Sequence, residues 1–295
     1  MASLMNGGAT ARLERSCGAA AADWIRIAPS CPAFERIEAF FGGHAFDPHR
    51  HDTYAIGFTL DGVQSFRYRG AAERSLPGQV FVLHPDEMHD GHAGTNAGFH
   101  YKILYVEPRT IRDALSETRC PLPFVREAVS TDRRLAAAIM PALGDLDLAL
   151  EELHRDQIIL DLAEALAAAD PSIARRKLSA RHWRAVDKVR DYLDANLRNA
   201  VASVELEAVS GLSRYAIARH FRACFGTSPY RYLVMRRLDR ARALIRRGAR
   251  LVDAAAACGF ADQSHMTRHF KRAYGLSPGR WAALCGSGSA EQYRN

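Results

Sequence analysis

Apolar residues follow two different periods along this chain. Between about residues 30 and 107, apolar and polar side chains alternate over short runs, as in FHYKILYVE (99–107), where the Phe and Tyr residues share one face. Asp61-Gly62 separates two more such runs, YAIGFTL and VQSFRYR, and predicts a hairpin between them. Short strands at this spacing predict a small antiparallel barrel or sandwich.

Helical spacing replaces the strand pattern after about residue 125. Four leucines at steps of four, three and seven form a heptad-like stripe: Leu146, Leu150, Leu153 and Leu160. Such a stripe packs against its own domain or forms a subunit interface. We expect a homodimer, because helices appended to a small barrel need an apolar partner.

The last hundred or so residues are helical in pattern and contain an internal repeat. SRYAIARHFRACFGTSP (213–229) returns 49 residues later as DQSHMTRHFKRAYGLSP (262–278). Each copy follows a short helical segment and a glycine, Gly211 or Gly259, at a turn that needs a positive φ. A basic segment that begins at Pro229 connects the copies. The pattern predicts two helix-turn-helix units joined by one long helix.

The second helix of each unit has an apolar inner face and a polar outer face. Ile217 with Phe221, and Met266 with Phe270, are spaced for core contacts. The outer residues are of types that read bases or bind phosphates in DNA: Arg214, Tyr215, Ala218, Arg219 and Arg222 in the first unit, and Gln263, Ser264, Thr267, Arg268 and Lys271 in the second. The alternative is a solvated basic surface that binds no DNA.

The distribution of charge favours DNA binding over that alternative. The 295-residue chain has a net charge of +7. Residues 1–180 contain 19 Lys/Arg and 24 Asp/Glu, a balance of −5, whereas residues 181–295 contain 21 and 9, a balance of +12. Basicity concentrated in one third of a chain is typical of a nucleic-acid-binding domain joined to a domain of another kind.

Cysteine spacing and hydropathy exclude several other classes of protein. The six cysteines are scattered without a C-x-x-C pair, which argues against a zinc or disulfide framework. The N-terminal residues do not follow the signal-peptide pattern, and no apolar run approaches the ~18 residues needed to span a bilayer. We therefore expect a cytoplasmic protein with no membrane partner.

VDAAAACGFADQSHMTRHFKRAYGLSPGRW (252–281) resembles the signature of the AraC/XylS family of bacterial transcription regulators, and the similarity covers roughly residues 183–283. The resemblance implies that the second helix of each unit enters the major groove. It also implies double-stranded DNA and RNA polymerase as partners, a bacterial nucleoid-associated location and no enzymatic activity. By position, the base-contacting residues would be Tyr215, Ala218 and Arg219, and Gln263, Ser264, His265, Thr267 and Arg268.

DPHRHDTYAIGFTLDG (47–62) and LPGQVFVLHPDEMHDGH (76–92) resemble the cupin-type sensor domain that is often joined to this DNA-binding module. The resemblance implies a small-molecule effector inside the barrel. The simpler interpretation of each aromatic residue is a place in the core. The candidate effector-binding residues are His49, His51, Tyr54, Phe58, Phe66, His84, His89 and Tyr101.

A metal site is the competing interpretation of three of these histidines. His49, His51 and His89 follow an H-x-H…H pattern, and imidazoles that converge on one point can bind a metal ion. The carboxylate that metal-binding cupins place shortly after the second histidine is missing, and Ala55 and Ile56 stand in that region. We therefore expect a pocket or hydrogen-bonding role for the histidines, with no metal and no cofactor.

Together these patterns predict an α+β protein of two domains. An N-terminal antiparallel β-barrel of the cupin type, with appended helices, precedes an all-α domain with two helix-turn-helix units joined by a long helix. The expected function is sequence-specific transcription regulation, as an activator controlled by a small-molecule effector. The alternative is a metal-dependent cupin enzyme or metal sensor fused to a DNA-binding module. The predicted segments are a disordered arm (1–22), the effector-sensing domain (23–115), a helical dimerisation region (116–169), a linker (170–180), the DNA-binding domain (181–284) and a tail (285–295).

Overall fold

The computed structural model describes residues 22–116, 121–173 and 179–287. The predicted arm, apart from residue 22, lies outside the described residues. So do residues 174–178 of the predicted linker and the predicted tail beyond residue 287.

The described residues form ten strands: β1 (Trp24–Ile27), β2 (Phe34–Phe41), β3 (His44–His49), β4 (Tyr54–Gly62), β5 (Gln64–Tyr68), β6 (Ala71–Ser75), β7 (Val80–Leu83), β8 (His89–Ala93), β9 (Phe99–Val106) and β10 (Val129–Ser130). They make a six-stranded sheet, β1-β2-β9-β4-β7-β10, and a four-stranded sheet, β3-β8-β5-β6, both antiparallel. The two sheets share one apolar cluster, in which the ring centroids of Phe66 and Phe81 lie 6.4 Å apart. The predicted α+β fold is confirmed, with two facing sheets in place of a closed barrel.

The Asp61-Gly62 turn does not form the predicted hairpin. β4 pairs with β7 and β9, whereas β5 pairs with β6 and β8. Gly62 has a φ of +71°, and a Cβ at this position would lie 2.1 Å from the Gly98 carbonyl oxygen. Only glycine fits there, and the turn moves the chain from one sheet to the other. The hairpin lies one strand later, where Arg69-Gly70 joins β5 to β6.

Three helices cover the outer face of the six-stranded sheet: α1 (Pro108–Ala114), α2 (Arg133–Leu143) and α3 (Glu152–Ala168). Their apolar faces pack on Ile56, Val82 and Leu104 of the central strands. Because the opposite face of the same sheet meets the four-stranded sheet, these strands are buried on both sides. This explains why their sequences contain long apolar runs.

The leucine stripe divides into a buried part and an exposed part. α3 begins at Glu152, so Leu146 and Leu150 precede the helix, with Leu146 buried and Leu150 half-buried. Leu153 and Leu160 lie on α3 and are 84% and 40% exposed. The stripe is not one continuous helical face, and the predicted homodimer depends on its exposed half.

The described C-terminal residues form seven helices: α4 (Ala180–Ala195), α5 (Ser203–Ser210), α6 (Arg214–Phe225), α7 (Pro229–Arg246), α8 (Leu251–Ala257), α9 (Gln263–Tyr274) and α10 (Pro278–Ser287). Gly211 and Gly259 have φ values of +69° and +76° in the turns that precede α6 and α9. The repeat therefore does consist of two helix-turn-helix units, and α7 joins them as predicted.

One apolar cluster extends from the sheets into the helices. Met235 of α7, Phe270 of α9 and Trp281 of α10 belong to the same cluster as the inner-face residues of both sheets. The first helix-turn-helix unit has a separate cluster around Phe221. The second unit therefore shares its core with the β domain, while the first unit has a core of its own.

Candidate functional site

α6 presents a polar face because its apolar residues recur every fourth position and point inward. The Ser213 side chain accepts the Ala216 N–H and caps the helix, and Gly226, with a φ of +71°, ends it. Ile217 and Phe221 are buried. Four of the predicted DNA-binding residues are exposed on the opposite face: Arg214, Tyr215, Ala218 and Arg219.

α9 has the same construction 49 residues later. Asp262 accepts the His265 N–H at the start of the helix, and Met266 and Phe270 are fully buried. The Nε2 atoms of His265 and His269 lie 2.9 Å apart, and this contact holds the His265 side chain partly against the helix. Of the predicted residues, Gln263, Ser264 and Arg268 are exposed, and His265 and Thr267 are half-buried.

Arg222 and Lys271 differ from the other predicted DNA-binding residues because each has a carboxylate partner in the β domain. Arg222 Nη2 lies 3.1 Å from Asp86 Oδ2, and Lys271 Nζ lies 2.7 Å from Asp47 Oδ2. The Lys271 ammonium, which donates a hydrogen bond to Asp47, holds the pKa of that carboxyl below its usual value. The C-terminal ends of α6 and α9 are therefore docked on the β domain.

Backbone contacts support this docking at both helix ends. The Asp47 N–H donates to the Gly275 carbonyl at 3.0 Å, and the Leu122 N–H donates to the Ala223 carbonyl at 3.2 Å. A Cβ on Gly275 would lie 2.7 Å from Asp47 O, and a Cβ on Gly226 would lie 2.5 Å from Pro85 Cβ. The two cap glycines thus permit both the left-handed backbone and the close approach of the β domain.

A cavity of about 370 Å³ lies between the six-stranded sheet and the helices α7 and α10. We call it the interdomain cavity. Its walls are mostly apolar and come from both domains: Ile37, Phe81, Tyr101, Ile103, Met235 and Trp281. A molecule bound there would touch the sheet and the DNA-binding domain together.

Buried ion pairs form the polar part of the cavity wall. Arg236 of α7 binds Asp52 at 2.9 Å and also pairs with Glu107, and Arg242 binds Glu35 at 2.9 Å. Burial raises the pKa of Asp52 to about 6 even though Arg236 opposes that shift. These arginines project from the helical domain to carboxylates of the β domain, so they link the two domains through the cavity wall.

His49, His51 and His89 come together at one end of the cavity. The rings of His49 and His89 lie 4.2 Å apart between centroids, in a cross-strand pair of β3 and β8, and His51 lies 4.8 Å from His89. Each Nδ1 lies 2.8–3.0 Å from a backbone carbonyl oxygen, of Asp47, Thr53 and Glu87 respectively. Burial lowers the pKa of all three imidazoles, that of His89 to about 4, so they are neutral at pH 7.

The other predicted effector residues do not join this group, except Tyr101, which lines the same cavity. Tyr54 and His84 line a second cavity beside the end of α6. Phe66 is buried between the two sheets, and Phe58 packs half-buried against the cluster under α1 to α3. Their observed contacts are those of core residues and of the interface with α6.

Sequence reasoning missed the cavity residues contributed by the helical domain. Met235, Arg236, Arg242 and Trp281 line the cavity, but their sequence context indicates only a basic connecting helix and a helical core. One signal was available. Arg236 and Arg242 each follow an apolar position of the same helix, Met235 and Ala241, which are buried.

Two family models match the chain in separate segments. The one described as AraC-like ligand binding domain matches residues 32–168, and the one described as helix-turn-helix domain matches residues 206–283. This chain belongs to the AraC/XylS family of transcription regulators. The regulator accordingly combines a ligand-binding part with a DNA-binding helix-turn-helix part, and the resemblance found in the sequence is confirmed.

Similar proteins cover most of this regulator. The HTH-type transcriptional regulator YbfI of Bacillus subtilis is 26% identical over 235 residues, which are 78% of this chain and 86% of YbfI. The HTH-type transcriptional activator RhaS of Klebsiella pneumoniae is 24% identical over 258 residues, 82% of this chain and 89% of RhaS. The structure of ToxT from Vibrio cholerae with a bound unsaturated fatty acid has a TM-score of 0.62 at 11% identity, covering 87% of this chain and 97% of ToxT, which shows a shared fold. Among the described residues, none of the helices has the length and apolar character needed to cross a membrane.

Proposed function

We propose that this regulator reads double-stranded DNA with the exposed faces of α6 and α9, and that an effector in the interdomain cavity controls whether both helices can do so. The observation that supports this most directly is the equivalent docking of both helix ends on the β domain. Two DNA-reading helices whose ends are tied to the ligand-binding part cannot change position independently of it.

The side chains on the two helices have the chemistry for base and phosphate contacts. Arg219 and Arg268 occupy equivalent, exposed positions, and arginine can bind guanine with two hydrogen bonds. Gln263 can pair with adenine in the same way, and Tyr215 is 73% exposed at the start of α6. We assign base contacts to Tyr215, Ala218, Arg219, Gln263, Ser264, His265, Thr267 and Arg268, and phosphate contacts to Arg214, Arg222 and Lys271.

The cavity is suited to a small molecule with an apolar body and a polar group. Phe81, Ile103 and Trp281 supply apolar walls, whereas Arg236 and Arg242 supply charged groups that a ligand can approach. The fatty acid in the ToxT structure is a ligand of this general kind. Because the ligand would touch both domains, its differential affinity for the docked and released arrangements would set the DNA affinity, with a coupling of about 1–3 kcal/mol.

The remaining assignments rest on the family and on exposed surfaces. We propose an activator that contacts RNA polymerase, in line with the activator RhaS, and a homodimer formed through the exposed leucines of α3. The regulator would act at the cytoplasmic nucleoid and perform no catalysis. The predicted segment boundaries, with a sensor domain at 23–115 and a DNA-binding domain at 181–284, belong to the same proposal.

A footprinting experiment tests the proposal. Genome-wide mapping of bound sites followed by hydroxyl-radical footprinting should show two protected segments per chain on one face of the DNA, with centres about 34 Å apart. A single protected segment would leave one unit without a function. Equal affinity for mapped sites and for random DNA would contradict sequence-specific binding.

A further inference from the structure

His49, His51 and His89 form a set of three converging hydrogen-bond acceptors. A backbone carbonyl can only accept, so each Nδ1 carries the proton and donates it to the carbonyl of Asp47, Thr53 or Glu87. Each Nε2 is then unprotonated and offers a lone pair. One ring nitrogen from each histidine lies within 4.8 Å of the other two, and Nε2 is the nitrogen that each ring has left to offer.

Such a set is incomplete without a positively charged or proton-donating partner. Among the described residues, no hydrogen-bond donor contacts His51 Nε2, although this atom is buried. Leaving a buried acceptor without a partner is unfavourable. A water molecule has only two protons to donate, so one water cannot satisfy three acceptors. A cation can accept all three lone pairs.

We propose that His49, His51 and His89 bind one divalent transition-metal ion through their Nε2 atoms, with a further coordination position open to the interdomain cavity. The orientation supports this, because metal-binding histidines usually donate the other ring N–H to a carbonyl or carboxylate. Metal–nitrogen bonds of about 2.0–2.1 Å place tetrahedral ligands roughly 3.4 Å apart. The ligand nitrogens, which lie within 4.8 Å of one another, would have to move closer by up to about 1.4 Å to reach that spacing.

The donor set indicates which ions would bind. Three neutral imidazoles without a carboxylate suit zinc, iron, cobalt, nickel or copper and do not suit magnesium or calcium, which prefer oxygen. Arg231 is a positive charge that acts on His49 and His51, and its guanidinium is paired with Asp86 at 2.5 Å. Asp86 also lies 3.1 Å from Arg222 and 3.5 Å from Arg50, so this group is positive on balance and opposes cation binding, which the three lone pairs must outweigh.

The site lies where the two domains meet. A Cβ on Gly275 would lie 2.7 Å from His49 Nδ1, so the cap of α9 packs directly on one of the proposed ligands. All three histidines also line the interdomain cavity. An oxygen or nitrogen donor of the effector would complete the coordination from that side. The sequence lacks the carboxylate ligand of metal-binding cupins. At this site, that absence leaves one coordination position for a group of the effector.

Metal titration of the full-length protein tests this site without reference to DNA. After dialysis against a chelator, Zn²⁺ and Co²⁺ are titrated by calorimetry, and the Co²⁺ absorption spectrum reports nitrogen coordination. We expect one equivalent per chain and a melting temperature that rises with metal concentration. The His49→Gln/His89→Gln variant and the His51→Gln variant should each weaken binding at least about 100-fold and lose the metal-dependent rise.

His44 and His92 provide the matched control. They are cross-strand partners in the same β3–β8 ladder, but both are exposed. The His44→Gln/His92→Gln variant should keep one equivalent and the native affinity. Wild-type protein that binds much less than one equivalent, or the same binding in all variants, would overturn the proposal even if a ligand variant failed to fold. DNA binding by the metal-free protein is measured separately, so loss of one function leaves the other assessable.

Discussion

Arg222 and Lys271 occupy the same position in the two repeated units, and each forms an ion pair with a carboxylate of the β domain. The Arg222–Asp86 distance is 3.1 Å and the Lys271–Asp47 distance is 2.7 Å. Both cations follow the arginine and aromatic residues that the repeat has in common. The duplication therefore presents two equivalent cations to the β domain, in addition to two equivalent exposed helix faces.

The Asp47→Asn variant should bind DNA more tightly in the absence of effector. Asp47 competes with DNA phosphates for Lys271, and an ion pair this exposed contributes about 0.2–1 kcal/mol. We expect an increase in affinity of up to about fivefold, equal for cognate and random DNA, because phosphate contacts are independent of sequence.

Asp61 is the control for the change in net charge. It is exposed on β4, where its cross-strand partner is His100 of β9. The Asp61→Asn variant should leave DNA affinity almost unchanged at 0.1 M salt, where distant charges are screened. Equal gains in the two variants would show that Asp47 acts only through net charge.

The Arg219→Ala and Arg268→Ala variants should lose specificity as well as affinity. Each removes a candidate contact to a base edge, at a cost of about 1–3 kcal/mol at the cognate site. The Arg247→Ala variant is the matched control, because it removes one exposed positive charge at the end of α7. Competition binding with cognate and random DNA distinguishes the two effects. An unchanged ratio for the Arg219 and Arg268 variants would contradict the assignment.

The sequence predicts the repeat correctly because local signals define it. Gly211 and Gly259 take the positive φ that the turns require, and Ser213 and Asp262 cap the helices that follow. Capping, glycine turns and helical periodicity all act within a few residues. This explains why two helix-turn-helix units can be recognised in a single sequence.

Long-range relationships are not predictable from such signals. The Asp61-Gly62 dipeptide has the composition of a hairpin turn, but β4 and β5 pair with other strands, and Gly62 packs against the backbone of Gly98. Arg222 and Lys271 are residue types that suit phosphate contacts, whether or not a carboxylate lies beside them in the fold. Only the fold reveals that Asp86 and Asp47 lie beside them.

The free energy of unfolding should fall as the pH drops below about 6.5, which is the pKa of a histidine in the unfolded chain. The fall should continue toward the folded-state pKa of His84, which burial lowers to about 3. His84 Nε2 accepts the Val125 N–H at 2.9 Å, so protonation would break this bond. Between those two pH values, His84 is protonated in the unfolded state and neutral in the folded state. The free energy of unfolding therefore rises with pH and reaches its full value above about pH 6.5. The contribution is at most about 1.4 kcal/mol per pH unit.

The His84→Gln variant tests this pH dependence because glutamine does not titrate. Urea unfolding at pH 7, 6, 5 and 4 should show a shallower decline for this variant than for the wild type, whatever its stability at pH 7. His154→Gln, at an exposed position of α3, should retain the wild-type slope. The same slope in all three proteins would show that His84 does not take part.

The Leu153→Glu/Leu160→Glu variant should be monomeric if the exposed half of the leucine stripe forms the subunit interface. Both side chains are exposed in the single chain, so the substitutions should leave its stability nearly unchanged. Sedimentation should give a dimer for the wild type and for the control Val204→Glu, at an exposed position of α5. A wild type that sediments as a monomer at micromolar concentration would eliminate the interface.

Alanine at the cap glycines should distinguish backbone strain from domain docking. Gly211, Gly226 and Gly275 all end helices, with φ values of +69°, +71° and +68°. A Cβ on Gly211 would meet nothing within 4 Å, whereas one on Gly226 would meet Pro85 and one on Gly275 would meet Asp47 and His49. Gly211→Ala should therefore cost only the left-handed backbone strain, about 1–2 kcal/mol.

The other two variants should cost more, because the new methyl group also pushes the helix ends away from the β domain. We expect an additional loss of about 1–3 kcal/mol in the free energy of unfolding for Gly226→Ala and Gly275→Ala. Equal losses at all three positions would mean that the docking seen at the ends of α6 and α9 does not contribute to stability in solution. Because the three glycines share one backbone conformation, the comparison isolates the interdomain contact from every other effect of the substitution.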